Sequence, residues 1–216
     1  MARKNPVPIN KEDFDKLIEA AKKDLEKHWR PRKKKYDNRG FVIREYIIAM
    51  CLGFGAGMRI SEIFGLQKEQ NYKYQKKDGT KIDTILKSNI PALTPDKIEE
   101  KYIRVISGKG KKDRTVPLPV KIFRKAGITR KILLDSLPLK VSYRSMQDYI
   151  SKLSSRVLKK HTTFHQLRHG FITHLLNQGV PPHQVMIFSG HSKMDTLGIY
   201  AHSNPKEALD AYEEVF

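Results

Sequence analysis

The chain holds a single cysteine, Cys51, so no internal disulfide can form, and a reducing compartment is expected. No stretch approaches the roughly 20 consecutive apolar residues that a membrane span needs. Met1 to Asn10 lacks the apolar core of a secretory signal. The expectation is a cytoplasmic chain with no membrane contact. No Cys, His and Asp cluster has metal-ligand spacing, so neither a metal nor another cofactor is expected. Internal repeats and long low-complexity tracts are absent too.

Acidic residues are scarce: 23 Asp and Glu face 42 Lys and Arg, for a formal net charge of +19. A polyanionic partner follows naturally, because binding to a nucleic-acid backbone is driven by phosphate neutralisation and counterion release. A lysine-rich solvated surface, as in a ribosome-associated or thermophilic protein, is the alternative. Charge alone does not choose between them.

The 39% of apolar residues are patterned for one mixed domain, mainly α with a small antiparallel sheet, an α+β class. Asn10 reads as an N-cap, followed by Phe14, Leu17, Ile18, Ala21 and Leu25 on one helix face. The basic stretch Arg30-Pro31-Arg32-Lys33-Lys34-Lys35 reads as a DNA-contacting segment or a solvated loop. Phe41 to Phe54 predicts a mostly buried helix, broken by Gly53, Gly55 and Gly57. Asn71 to Leu86 predicts a hairpin around Asp78-Gly79. A second hairpin joins Tyr102–Ile106 to Arg114–Leu118 through a Gly-Lys-rich turn. Helical spacing returns at Met146, Tyr149, Ile150, Leu153 and Val157, then at Phe164, Leu167, Phe171 and Leu175. Gly179 is the expected stop of the latter helix, with Pro181-Pro182 beyond.

Four segments carry chemistry: Gly57-Met58-Arg59-Ile60-Ser61-Glu62, Ser107 to Arg114 with its three lysines, His165-Gln166-Leu167-Arg168-His169, and Ser189-Gly190-His191 followed by Gly198-Ile199-Tyr200. In this order they resemble the tyrosine recombinase (phage integrase) family, from about Asn10 to the C-terminus. The resemblance implies the family's catalytic fold and a double-stranded DNA substrate. It also implies strand cleavage and rejoining through a 3′-phosphotyrosine, without metal or ATP, in a prokaryotic or archaeal host or its virus or plasmid. Self-association on DNA, as a synaptic tetramer, is implied for the full-length enzyme.

The roles implied are specific, and each has a plainer alternative. Arg59 and Arg168 would clamp the scissile phosphate, because a guanidinium bonds two phosphate oxygens and stays protonated. The alternatives are an ion pair between Arg59 and Glu62 and a surface helix charge at Arg168. His165 shares a helix face with Arg168 and would accept the tyrosine proton; otherwise it is a cap or a packed core residue. Lys109 best matches the family's Gly-Lys-Gly turn and would protonate the departing 5′ oxygen. His191 would donate to a non-bridging oxygen, or is simply a turn residue after Gly190. Tyr200 would be the nucleophile, its poor phenol activated by the surrounding cations. His169 and His174 are lesser candidates, His169 as support for the site.

Two departures stand out. The family's N-terminal core-binding domain is expected to be absent, leaving residues 1–216 as a catalytic domain. Residues 72–100 are expected to be an insertion or enlarged hairpin, since Arg59 to Lys109 is a longer interval than usual. Asn204-Pro205 is expected to open a helix bearing Ala208, Leu209, Tyr212, Val215 and Phe216, docking into a neighbouring protomer or onto its own domain. A type IB topoisomerase uses a similar residue set, but the short His191–Tyr200 interval and the Gly-His-Ser motif favour the recombinase. A non-catalytic DNA-binding relative is disfavoured because every catalytic residue type is present.

Overall fold

The computed structural model describes residues 7–28, 38–75, 81–106 and 113–190. Helix α1 (Lys11–His28) starts where Asn10 Oδ1 accepts the Asp13 N–H at 2.7 Å, the expected N-cap. Its buried face is Phe14, Leu17, Ile18 and Ala21. This stripe packs on α2 (Arg39–Gly55), whose residues from Glu45 to Phe54 are all buried. The Phe14 and Phe54 rings stack 4.2 Å apart between centroids.

The expected helix break at Gly53 and Gly55 is corrected by the structure: α2 runs through both. A Cβ at Gly53 would lie 2.8 Å from the Phe164 ring, so this glycine permits close packing with a later helix. The chain turns only at Gly57, whose φ of +62° favours glycine, and a Cβ there would also meet the Phe171 ring at 2.4 Å. Cys51 is buried, and burial pushes its thiol pKa up.

A short helix, α3 (Ile60–Phe64), leads into the first hairpin. Its strands, β1 (Leu66–Gln75) and β2 (Lys81–Ile90), pair antiparallel from Leu66↔Ile90 to Gln75↔Lys81. Both reach beyond the expected 71–86 span, and the Asp78-Gly79 turn lies outside the described residues. Strands β3 (Tyr102–Val105) and β4 (Arg114–Pro117) form the second expected hairpin; among the described residues the two hairpins are separate antiparallel pairs. Ile103 and Val116 face each other in that pair, both buried. Between the hairpins, Leu93 and Ile98 belong to the main core.

Helices α4 (Val120–Lys125) and α5 (Arg130–Ser136) precede α6 (Tyr143–Leu158). The backbone N–H groups of Lys140 and Val141 donate to the buried Glu45 carboxylate at 2.7 and 2.8 Å, which fixes the approach to α6. Met146, Ile150 and Leu153 of α6 are buried, as their spacing predicts. Helix α7 (Phe164–Asn177) packs on α2. Gly179, at φ +75°, follows its end as expected. Pro182 then opens α8 (Pro182–Ser189), a helix the sequence reading did not separate. Phe171, Ile172 and Val185 form a small apolar cluster between α7 and α8. No helix among the described residues is long and apolar enough to cross a membrane.

Candidate active site

The site forms where the α2–α3 turn, the start of α7 and the end of α8 converge. Arg59 is the residue before α3, in extended conformation. Its N–H donates to Glu62 Oε2 at 2.7 Å and its guanidinium to Oε1 at 2.8 Å. The plain alternative for Arg59, an ion pair with Glu62, is therefore present, and it orients the arginine. The Arg59 side chain keeps 19% exposure while that of Glu62 has none.

Helix α7 opens at Thr163, whose N–H donates to Gln166 Oε1 at 2.8 Å. His165 therefore is not the cap, and it is exposed rather than packed in the core. Its ring meets His169, one turn on, edge to face at 4.2 Å. His174 lies half a turn off that face and packs near the Phe54 ring. Burial, then the Lys11 charge, lowers its pKa.

Arg168 is 2% exposed, so it is no surface charge. Its guanidinium donates to the carbonyls of Gly57 and Ser189. Gly57 is two residues from Arg59, and Ser189 immediately precedes Gly190-His191. One buried cation thus joins three of the four segments that the sequence singles out.

The fourth segment enters through Arg114, the first residue of β4, to which sequence reasoning assigned no role. Its fork donates to Glu62 Oε1 at 2.7 Å and Oε2 at 2.8 Å, and its Nε donates to the Phe188 carbonyl at 2.9 Å. Burial alone would raise the Glu62 carboxyl pKa. The Arg114 guanidinium, helped by Arg59, outweighs this and holds it at about 2. The sequence signal for Arg114 was its position at the foot of the lysine turn; its partner 52 residues away carried none. Lys109, His191 and Tyr200 lie outside the described residues, as do Arg30 to Lys35 and the expected helix after Asn204.

Arg59, Arg114 and Arg168 thus come from separate elements to adjoining turns, with the exposed His165 three residues before Arg168. Such preorganised donors suit an anion whose charge grows during reaction.

The model of the phage integrase family matches residues 83–207, more than half of the chain. The chain belongs to the phage integrase family. Among curated proteins this family member is 29% identical over 218 residues to the tyrosine recombinase XerA of Pyrococcus furiosus, covering 96% of the chain and 61% of the relative. It is 30% identical over 192 residues to XerA of Thermococcus kodakarensis, covering 79% of the chain and 55% of that relative. The chain thus spans a little over half the length of these relatives. Its fold is that of solved integrase structures. A crystal structure of XerA recombinase superposes with a TM-score of 0.60 at 19% identity, over 98% of this chain and 66% of that one. The catalytic domain of bacteriophage HP1 integrase superposes at 0.51 with 20% identity, over 97% and 95%.

Proposed function

We propose that this chain carries the DNA-cleaving centre of a site-specific tyrosine recombinase and acts on double-stranded DNA without metal or ATP. The observation that carries the reading is Arg168, which bonds Gly57 and Ser189 and so gathers the segments of Arg59, His165 and His191. Solved relatives support a DNA substrate. One is XerH recombinase bound to its difH substrate, another the Tn1549 integrase with circular intermediate DNA.

In this mechanism Arg59 and Arg168 address the non-bridging oxygens of the scissile phosphate. A guanidinium carries five N–H donors in a planar fork; the two carbonyls orient that of Arg168. His165 accepts the Tyr200 proton, and His191 donates to a non-bridging oxygen. The Tyr200 oxygen bonds to phosphorus as the bond from phosphorus to the 5′ oxygen breaks. Lys109 protonates that departing oxygen. The 3′-phosphotyrosine conserves the bond energy, so attack by another 5′ hydroxyl rejoins strands without ATP.

In this proposal residues 1–216 form the catalytic domain, with an enlarged hairpin in 72–100. Protomers associate on DNA in the cytoplasm, as a tetramer in the full-length enzyme. The test is incubation with a nicked suicide DNA duplex, followed by peptide mapping of the adduct. An adduct at Tyr200, absent from Tyr200→Phe, is expected. Because that change removes one oxygen, folding and DNA affinity should hold. An adduct at Tyr212, or one persisting in Tyr200→Phe, overturns the assignment.

A further inference from the structure

Glu62 is a fully buried carboxylate that accepts from two arginines at once, with both oxygens doubly engaged. Oε1 accepts from the guanidinia of Arg59 and Arg114 at 2.8 and 2.7 Å. Oε2 accepts from the Arg59 N–H and Arg114 at 2.7 and 2.8 Å. Two roles are divided between these arginines. Arg59 reaches the surface, whereas Arg114, 7% exposed, turns its whole fork inward to Glu62. Its Nε meanwhile holds the Phe188 carbonyl, at the end of α8. Arg114 also lies against the backbone that follows: a Cβ on Gly190, which sits at φ +64°, would come 3.0 Å from its Cδ.

We infer that Arg114 is a positioning residue, holding Arg59 through Glu62 and the Gly190 turn through Phe188 so that both face one phosphate. This rests on the function proposed above. In this scheme Arg114 acts on the protein: its three bonds go to Glu62 and Phe188. It opens β4, so it links that hairpin to both other segments. Lysine is a poor replacement, because one ammonium nitrogen would have to stand where three guanidinium nitrogens meet Oε1, Oε2 and the Phe188 carbonyl separately. Small displacements matter at such a site: about 1 Å of misplacement can cost roughly 100-fold in rate.

The experiment measures single-turnover cleavage of the nicked suicide duplex at saturating DNA by wild type, Arg114→Met, Arg114→Lys and Arg59→Ala, and by Arg59→Ala combined with Arg114→Met. Thermal melting and DNA affinity are recorded alongside. Expected are a cleavage loss of roughly 100-fold in Arg114→Met, little change in affinity and no rescue by lysine. The loss should shrink when Arg59 is already alanine, because the two act along one path. Full multiplicative loss in the double variant, or wild-type cleavage by Arg114→Lys, overturns the inference. Should Arg114→Met fail to fold, Arg114→Lys carries the test: a cleavage loss that shrinks in the Arg59→Ala background supports the inference, and wild-type cleavage overturns it. If wild type forms no adduct, the proposed function fails by itself. Positioning is then judged by crystal structures of wild type and Arg114→Met. A displaced Arg59 and Gly190 turn supports it, and unmoved ones overturn it.

Discussion

Arg168 donates to the carbonyl of Gly57, 111 residues earlier in the chain. An arginine expected to serve a phosphate is thereby also part of the core, because it satisfies that carbonyl and the Ser189 carbonyl in a buried setting.

Arg168→Ala should therefore cost stability as well as activity. Each orphaned carbonyl costs about 1–3 kcal/mol, so urea unfolding should show a loss of roughly 2–6 kcal/mol. Arg59→Ala, at a more exposed position, should weaken phosphate binding and cleavage with a smaller stability loss. Equal stabilities of the Arg168→Ala variant and wild type would remove Arg168 from the fold's support.

Glu62 predicts an acid limb in stability. Its folded pKa is depressed from 4.5 to about 2. Its contribution is thus complete above the unfolded value and is lost as pH falls through the folded one. Urea midpoints measured from about pH 6 to pH 2 should drop for wild type across that window. Glu62→Gln should be less stable near neutrality, yet flatter across the same range. A parallel slope in both proteins would mean that other carboxylates carry the acid response.

DNA binding should depend steeply on salt, given the net charge of +19. With about six phosphate contacts, affinity should fall roughly 1,000-fold between about 50 and 200 mM salt. Fluorescence-anisotropy titrations check this, and a flat response would rule out phosphate-driven binding.

In the proposed mechanism, Lys109 separates the general acid from the phosphate clamp. Lys109→Ala should cleave normal DNA poorly, yet recover in part on a substrate with sulfur at the 5′-bridging position. A thiolate leaves without a proton, so a missing acid matters less. Arg168→Ala should gain nothing from the sulfur. The opposite pattern would reassign the acid.

The local elements and the family were legible in the residues alone. Asn10, the α1 stripe and the apolar positions of α6 and α7 are local signals: a cap and a period of 3.6 residues act within a few turns. The ordered motifs around Arg59, Lys109, His165, Arg168, His191 and Tyr200 likewise carry their meaning in type and spacing, which is why the family was legible before any fold. How those segments are held emerges only once the chain has folded. Gly53 reads as a helix breaker in isolation, yet it lies within α2, where its missing side chain leaves room for the Phe164 ring. The two hairpins were legible, but strand propensity is silent on whether they pair with each other, and among the described residues they do not. Arg168 reads as a surface charge or a phosphate ligand, and its burial follows from two carbonyls brought to it by distant turns. Arg114 had no visible partner, because Glu62 and Phe188 lie 52 and 74 residues away, and hydrogen bonds across such intervals exist only once the core has closed.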